Sequence, residues 1–365
     1  MKNLKTQGFI LIDVDVAALN NAGKSTTTNL DNGVATKKIR KNGQSYVYVS
    51  GQAWRYWWRD TLQKTLDWKL SPVTREKKIA FTAADPIEYP DDDVFGYMKA
   101  AKGEVFDKDG NVVTDKKGNP KLENVTVTRI SPLKNSALVA VTATQVAENW
   151  SSMSRQNGDA VPYTKEEYST VLKGMFSIDL EQVGTFSDYN KTGYKNLTSA
   201  LRQKAIESGA ETIEDQFVKK ANGEAQQLIR MNTSTRKNRI IDTIEALKFI
   251  SGGAMQTNNM ADVTPKFIIL STMTTGNHPF SHIAVNSGQF AQNFLFNING
   301  LKEVLKDYKE QFEGRIYIGT RSGFLDTEDM AALQKLAEEN NAVKLLSVNE
   351  AIDQYCDALE TQISS

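Results

Sequence analysis

One cysteine, Cys356, and two histidines, His278 and His282, are all that this 365-residue chain offers of the side chains most often used for redox and metal chemistry. A lone cysteine excludes an internal disulfide and suits a reducing cytoplasm, and this inventory is too small for a Cys/His zinc site of the usual composition. His278 and His282 are four apart, but Pro279 between them argues against a shared helical face, so both read as loop histidines. Cys356 falls on the stripe Ile352, Tyr355, Leu359 of a C-terminal helix and reads as a core thiol rather than a nucleophile. Neither sign of charge dominates: 44 Lys and Arg against 44 Asp and Glu give a net charge of zero. Long apolar runs are absent too. The longest, residues 267–270 and 137–141, fall far short of the roughly 18 residues needed to cross a bilayer. Residues 1–9 carry no cleavage pattern, so a cytoplasmic chain without membrane association is expected. With 40% hydrophobic and 24% charged residues there is material for a packed core, and the length predicts about two or three lobes.

Periodicity predicts strands over 8–16, 44–49, 138–146, 175–183, 267–270 and 315–318. Helices are expected over 51–66 and 239–250, the second with Ile240, Ile241, Ile244, Leu247 and Ile250 at helical spacing. A turn-rich stretch follows the first helix to about 130, and a polar stretch fills 185–238. Strands and helices mixed with long insertions indicate an α+β fold. No internal repeat is visible.

Charge is unevenly placed even though it sums to zero. Between Asp31 and Asp60 there is no acid, while Lys37, Lys38, Arg40, Lys41, Arg55 and Arg59 all lie there, with three of the five tryptophans. At 100° per residue Trp54, Trp57, Trp58 and Leu62 share one helix face, whereas Gln52, Arg55 and Arg59 form another. The rings are therefore core anchors rather than stacking platforms. Ser50 suits an N-cap, and Gly51 leaves the helix start open, so free amides would face an anion beside the two arginines. A capped helix with solvated arginines satisfies the same spacing.

A second acid-free stretch, 225–241, holds Arg230, Met231, Arg236, Lys237 and Arg239 among Asn, Thr and Ser. It suits contact with a single strand, with Met231 as an apolar wedge; a solvated loop is the plainer alternative. Two motifs fail on inspection. Residues 18–25 approach a phosphate loop, but Ala18 replaces its first glycine. Residues 107–111 approach a calcium loop, but glycine comes fourth rather than sixth. The acids Asp85, Glu88, Asp91, Asp92 and Asp93 do not converge by themselves, so no metal is assigned.

Ser50-Gly51-Gln52-Ala53-Trp54-Arg55-Tyr56-Trp57-Trp58-Arg59 resembles the helix start of the backbone subunit of type I CRISPR effector complexes, in the DevR-type branch of subtype I-B. Asp85-Pro86-Ile87-Glu88-Tyr89, Asp91 to Tyr97, Ser131-Pro132-Leu133-Lys134, Gly252-Gly253-Ala254 and Gly276-Asn277-His278-Pro279-Phe280 follow in family order. The resemblance spans about residues 8–282. It implies an RNA-recognition-motif-like (ferredoxin-like) palm carrying a finger and a thumb: palm 1–70, finger insertion 71–130, palm strands and finger return 131–184, thumb insertion 185–238, and palm with C-terminal elements 239–365. It implies a non-enzymatic subunit without cofactor or metal, polymerised with copies of itself and other effector subunits along guide RNA and meeting target DNA through guide pairing. The RNA contacts would be Asn20, Asn21, Lys37, Lys38, Arg40, Ser50, Gly51, Gln52, Arg55, Arg59, Arg230, Met231, Arg236, Lys237, Gly252, Gly253 and Ala254. RNA-cleaving relatives of the fold use a loop aspartate with a divalent metal, and Asp31 occupies a comparable loop. A metal-dependent endonuclease is therefore the alternative.

Overall fold

Phe9, Ile10, Leu11, Ile12 and Val14 are all buried, so the first strand, β1 (Lys5–Ala17), is covered on both faces and reads as a continuous apolar run rather than an alternating one. The computed structural model describes residues 3–24, 33–76, 78–104, 112–115, 117–189, 194–288 and 293–363. The chain divides into two units: one of residues 1–65, 134–177 and 243–359, the other of 66–133, 178–242 and 360–365.

The first unit is built on one large, mostly antiparallel sheet. Its elements are β1, β2 (Lys38–Lys41), β3 (Gln44–Val49), α1 (Gly51–Thr65), β4 (Leu138–Ala140), β5 (Ala147–Met153), β6 (Val161–Asp179), β7 (Phe267–Met273), α2 (Ile298–Asp307), β8 (Phe312–Thr320), α3 (Thr327–Glu339), β9 (Val343–Leu346) and α4 (Val348–Gln362). The main strand order is β9-β8-β7-β1-β6-β4-β3-β2, with β5 pairing β6 off this path. Phe9 pairs Ile269 and Ile269 pairs Ile318, both antiparallel, whereas β9 joins β8 in parallel with Leu345 opposite Ile318. One face of the sheet presents Phe9, Leu11, Phe267, Ile269, Ile316 and Ile318 to Leu301 and Leu305 of α2 and Leu333 and Leu336 of α3. The other face carries α1 and α4. There Trp54 stacks on Trp58 at 5.4 Å, Trp58 meets the edge of Phe176 at 5.2 Å, and the Tyr355 hydroxyl donates to Thr6 Oγ1 at 2.8 Å. Cys356 is buried on α4, and burial pushes its thiol pKa up, so it is the core thiol that the stripe predicts.

The second unit contains the hairpin Tyr97–Glu104 and Leu122–Arg129, and a three-stranded sheet of Thr185–Ser187, Glu211–Lys219 and Ala225–Arg230. Helix Ser199–Glu207 starts at Thr198, whose hydroxyl accepts the Leu201 amide at 3.3 Å. Ile87, Phe186, Leu197, Ala205, Ile229 and Met231 form its apolar cluster. Asp93 is fully buried and takes Arg239 Nη1 at 2.7 Å and the Gly184 amide at 2.8 Å, with Arg129 on its other oxygen.

Three expectations are corrected. The polar stretch 185–238 forms strands and helices, and the helix expected from 239 begins at Thr233 because Asn232 caps it, accepting the Thr235 amide at 2.8 Å. The strand expected over 175–183 is the end of β6, whose earlier half is masked in sequence by buried acids that are all paired: Glu166 with Thr36 and Lys38, and Glu167 with Lys165 and Asn149. The strand expected over 138–146 stops at Ala140, and a separate strand, β5, starts at Ala147.

Candidate nucleic-acid interface

Helix α1 starts where the sequence places it. The Ser50 hydroxyl accepts the Ala53 amide at 3.3 Å, and the Ser50 carbonyl accepts Trp54 N at 3.1 Å. Trp54, Trp57, Trp58, Thr61 and Leu62 are buried, and the Trp58 indole donates to the Thr243 carbonyl at 2.7 Å. The burial fixes the roll of the helix, so Gln52 is exposed and Arg55 and Arg59 sit half-buried on the other side.

Asn20 ties three segments to this helix start. Its side-chain oxygen accepts the Ser50 amide at 2.9 Å, and its carbonyl accepts the Lys37 amide at 2.9 Å. The preceding residue, Leu19, accepts the Ala254 amide at 2.9 Å through its carbonyl. The Gly252-Gly253 turn closes over the same point. Both residues have positive φ, 153° and 110°, and added β-carbons would fall 2.3 Å from Trp57 Cγ and 2.6 Å from Leu19 Cδ2. Only glycine satisfies both the backbone conformation and the space.

Arg55 is oriented by a residue that the sequence pattern does not single out. Its Nη1 donates to Asn135 Oδ1 at 2.9 Å, while Asn135 Nδ2 donates to the carbonyls of Gly51 at 3.2 Å and Ser136 at 3.0 Å. Burial, and then the neighbouring Arg59 cation, bring the Arg55 pKa down to about 10. The two arginines are thus close neighbours on one face of α1. An anion beside two neighbouring cations is favoured by both, and the helix dipole has the same sign near Ser50 and Gly51. The structure therefore gathers Asn20, Ser50, Gly51, Gln52, Arg55, Arg59, Gly252, Gly253 and Ala254 into one locality. The only sequence signal for Asn135 is its position next to the segment Ser131-Pro132-Leu133-Lys134.

The remaining candidates in the first unit divide. Asn21 opens a short exposed strand, Asn21–Lys24, antiparallel to Val34–Thr36. Lys37 is half-buried, and Arg40 lies exposed on β2, the edge strand of a hairpin that turns at Asn42-Gly43. Lys38 is bound to Glu166 at 2.7 Å, so its charge is already answered within this unit. Burial acts to raise the Glu166 pKa, but the hydrogen bonds from Lys38 and Thr36 outweigh it and hold that carboxyl below its ordinary value.

In the second unit the side chains expected at RNA are engaged within the protein. Met231 is only 8% exposed, packed with Ile229 and Phe186, so it is not an exposed wedge. The Arg236 guanidinium is buried and donates to the carbonyls of Val183 at 3.0 Å and Leu180 at 2.8 Å. Arg230 Nη2 holds Glu181 at 2.8 Å, and Arg239 belongs to the Asp93 network. Lys237 is half-buried on its helix. The acid-free strip of the sequence is closed by acids distant along the chain. The acids Asp85, Asp91 and Asp92 likewise accept backbone amides, from Ile87, Ser71 and Asp85 respectively. Asp31 and the calcium-loop-like residues 107–111 lie outside the described residues, as does Ser25 at the end of the phosphate-loop-like segment.

Comparison with known families shows where the chain belongs. The family described as CRISPR-associated negative auto-regulator DevR/Csa2 matches residues 10–294. The chain belongs to this DevR/Csa2 family. Two solved structures share its fold. A chain of a CRISPR RNA-guided surveillance complex aligns at TM-score 0.51 with 8% identity, covering 97% of this chain and 99% of that one. A chain of a CRISPR RNA-guided surveillance complex in a pre-nicking state aligns at TM-score 0.54 with 10% identity, over the same shares of the two chains. No curated protein matches the chain. Family membership covers the locality around α1: Asn20, Ser50, Arg55, Arg59, Asn135 and Gly252 to Ala254 all lie within the matched residues.

Proposed function

We propose that this DevR/Csa2 member is the backbone subunit of a type I, subtype I-B CRISPR effector complex. Copies polymerise along guide RNA, each gripping its phosphates, and leave the bases free to pair with target DNA. The sheet-bearing unit serves as the RNA-recognition-motif-like palm, and the second unit supplies the finger and thumb insertions. Target choice rests on base pairing, so a sequence-tolerant grip on the backbone is what such a subunit requires.

The observation that carries this reading is the Arg55–Arg59 pair at the open start of α1, with Arg55 aimed by Asn135 and the helix start fastened to Asn20. Two guanidiniums beside helix amides suit phosphodiester oxygens, which every RNA sequence presents alike. The test is direct titration of labelled single-stranded RNA into the purified chain at several salt concentrations. Replacing Arg55 and Arg59 by alanine together should weaken binding equally for unrelated RNA sequences. It should also lower the slope of log K against log salt by about 0.7 for each phosphate no longer neutralised. A folded double variant with unchanged slope would remove the clamp.

A further inference from the structure

Near its end, β1 contains a residue in a conformation that its side chain resists. Val16 has φ 47°, in the left-handed region, where a β-branched residue is a genuine outlier. Its side chain is nevertheless 51% exposed, so no core packing accounts for valine there. The backbone around it is pinned. The Val16 amide donates to Ser169 Oγ at 3.1 Å, and that hydroxyl donates to Asp15 Oδ1 at 2.7 Å.

The outcome is a break in the alternation of the strand. Val14 is buried, Asp15 and Val16 are both exposed, and Ala17, Ala18 and Leu19 are then buried in succession. The Leu19 amide reaches Tyr168 OH at 3.3 Å, and Asn20 arrives at the Ser50 amide. Val16 precedes Asn20 by four residues, so it lies within about 14 Å of that hub by the reach of the chain. Glycine would make the same break without strain, since it adopts positive φ freely. Strain kept where a simpler residue would serve points to a use for the side chain.

We propose that Val16 contacts the bound RNA, its isopropyl group packing on a base or ribose face beside the phosphate clamp. The Asp15 carboxylate next to it disfavours a phosphate at this point, so the contact is apolar and sequence-tolerant. The inference rests on the reading of this chain as an RNA-binding subunit.

Two variants of the full chain test it, with a labelled single-stranded RNA of mixed sequence as the probe. Val16→Gly relieves the backbone and should raise the melting temperature by about 2 °C, because roughly 1 kcal/mol moves a chain of this size by a few degrees. The same variant should bind RNA about fivefold more weakly, the effect expected of removing part of a buried valine side chain. Val16→Thr keeps the branched shape and the strain, so it should melt like the parent and bind more tightly than the glycine variant. A Val16→Gly protein that melts higher but binds RNA as tightly as the parent would overturn the contact. One that melts lower would overturn the strain. If the parent itself binds no RNA, the proposed function falls first and this inference with it. A parent that binds RNA beside an equally competent glycine variant removes the inference alone.

Discussion

Arg55 donates to the side-chain oxygen of Asn135 at 2.9 Å, and the amide nitrogen of the same asparagine holds the Gly51 carbonyl at 3.2 Å. One side chain thus fixes both the first turn of α1 and the cation that projects beside it. The Arg55 charge is on the helix, but its direction is set from a strand 80 residues away in sequence.

Replacing Asn135 by alanine should therefore separate charge from aim. Arg55 and Arg59 keep their charge, so the salt slope of RNA binding should stay at the parent value. Affinity should fall by about tenfold, the worth of one charge-assisted hydrogen bond that positions a binding group. The check is the salt titration that tests the arginines, read for intercept instead of slope.

Trp57→Ala tests the opposite face of the helix. The indole is buried beneath Gly252, where an added β-carbon would overlap the ring. Truncation leaves a cavity under the glycine turn and should cost about 3–5 kcal/mol in chemical unfolding. Because the turn rests on that ring, the folded fraction should also bind RNA more weakly than the parent.

In the second unit the structural centre is ionic. Asp93 has no exposure and is bound by Arg129 and Arg239 together. Asp93→Asn leaves two buried guanidiniums without their counter-charge. Breaking a buried pair in this way costs about 3–5 kcal/mol, so the variant should unfold at clearly lower denaturant, with weakened protection of the Thr185–Ser187 sheet in hydrogen exchange.

Legibility in the sequence followed the range of the interactions. The roll of α1 was readable because Trp54, Trp57 and Trp58 repeat at helical spacing, and burial of that stripe needs no partner to be named. The cap at Ser50 was readable for the same local reason. The burial of Met231 and Arg236 was not legible because their neighbours, Phe186 and the carbonyls of Leu180 and Val183, lie about 45–55 residues earlier, and composition alone cannot distinguish a buried arginine from a solvated one. The β2–β3 hairpin carried a usable signal in Asn42-Gly43, both with positive φ, which is the turn that such pairs favour. Asn135 had only its position next to Ser131-Pro132-Leu133-Lys134, since the groups it holds, Arg55 and the Gly51 carbonyl, lie about 80 residues earlier.

His278 gives a prediction in pH. Its Nε2 lies 2.8 Å from the Gly8 carbonyl, which fixes the proton on Nε2, and its Nδ1 is buried without a partner among the described residues. Burial is the largest influence on the ring and lowers its pKa below 6.5, against a smaller opposing effect of the Gly8 carbonyl. The folded chain thus holds the neutral imidazole, whereas the unfolded chain protonates near the ordinary value. Between those two pKa values the unfolded state binds more protons, so the histidine favours folding fully above about pH 6.5 and progressively less as pH falls through the folded value. Urea midpoints measured from pH 7.5 down to pH 5 should decline for the parent. In His278→Gln, which keeps a polar side chain without a titrating group, that part of the decline should vanish. An identical slope in both proteins would mean that the ring gains its proton as easily in the folded chain as in the unfolded one.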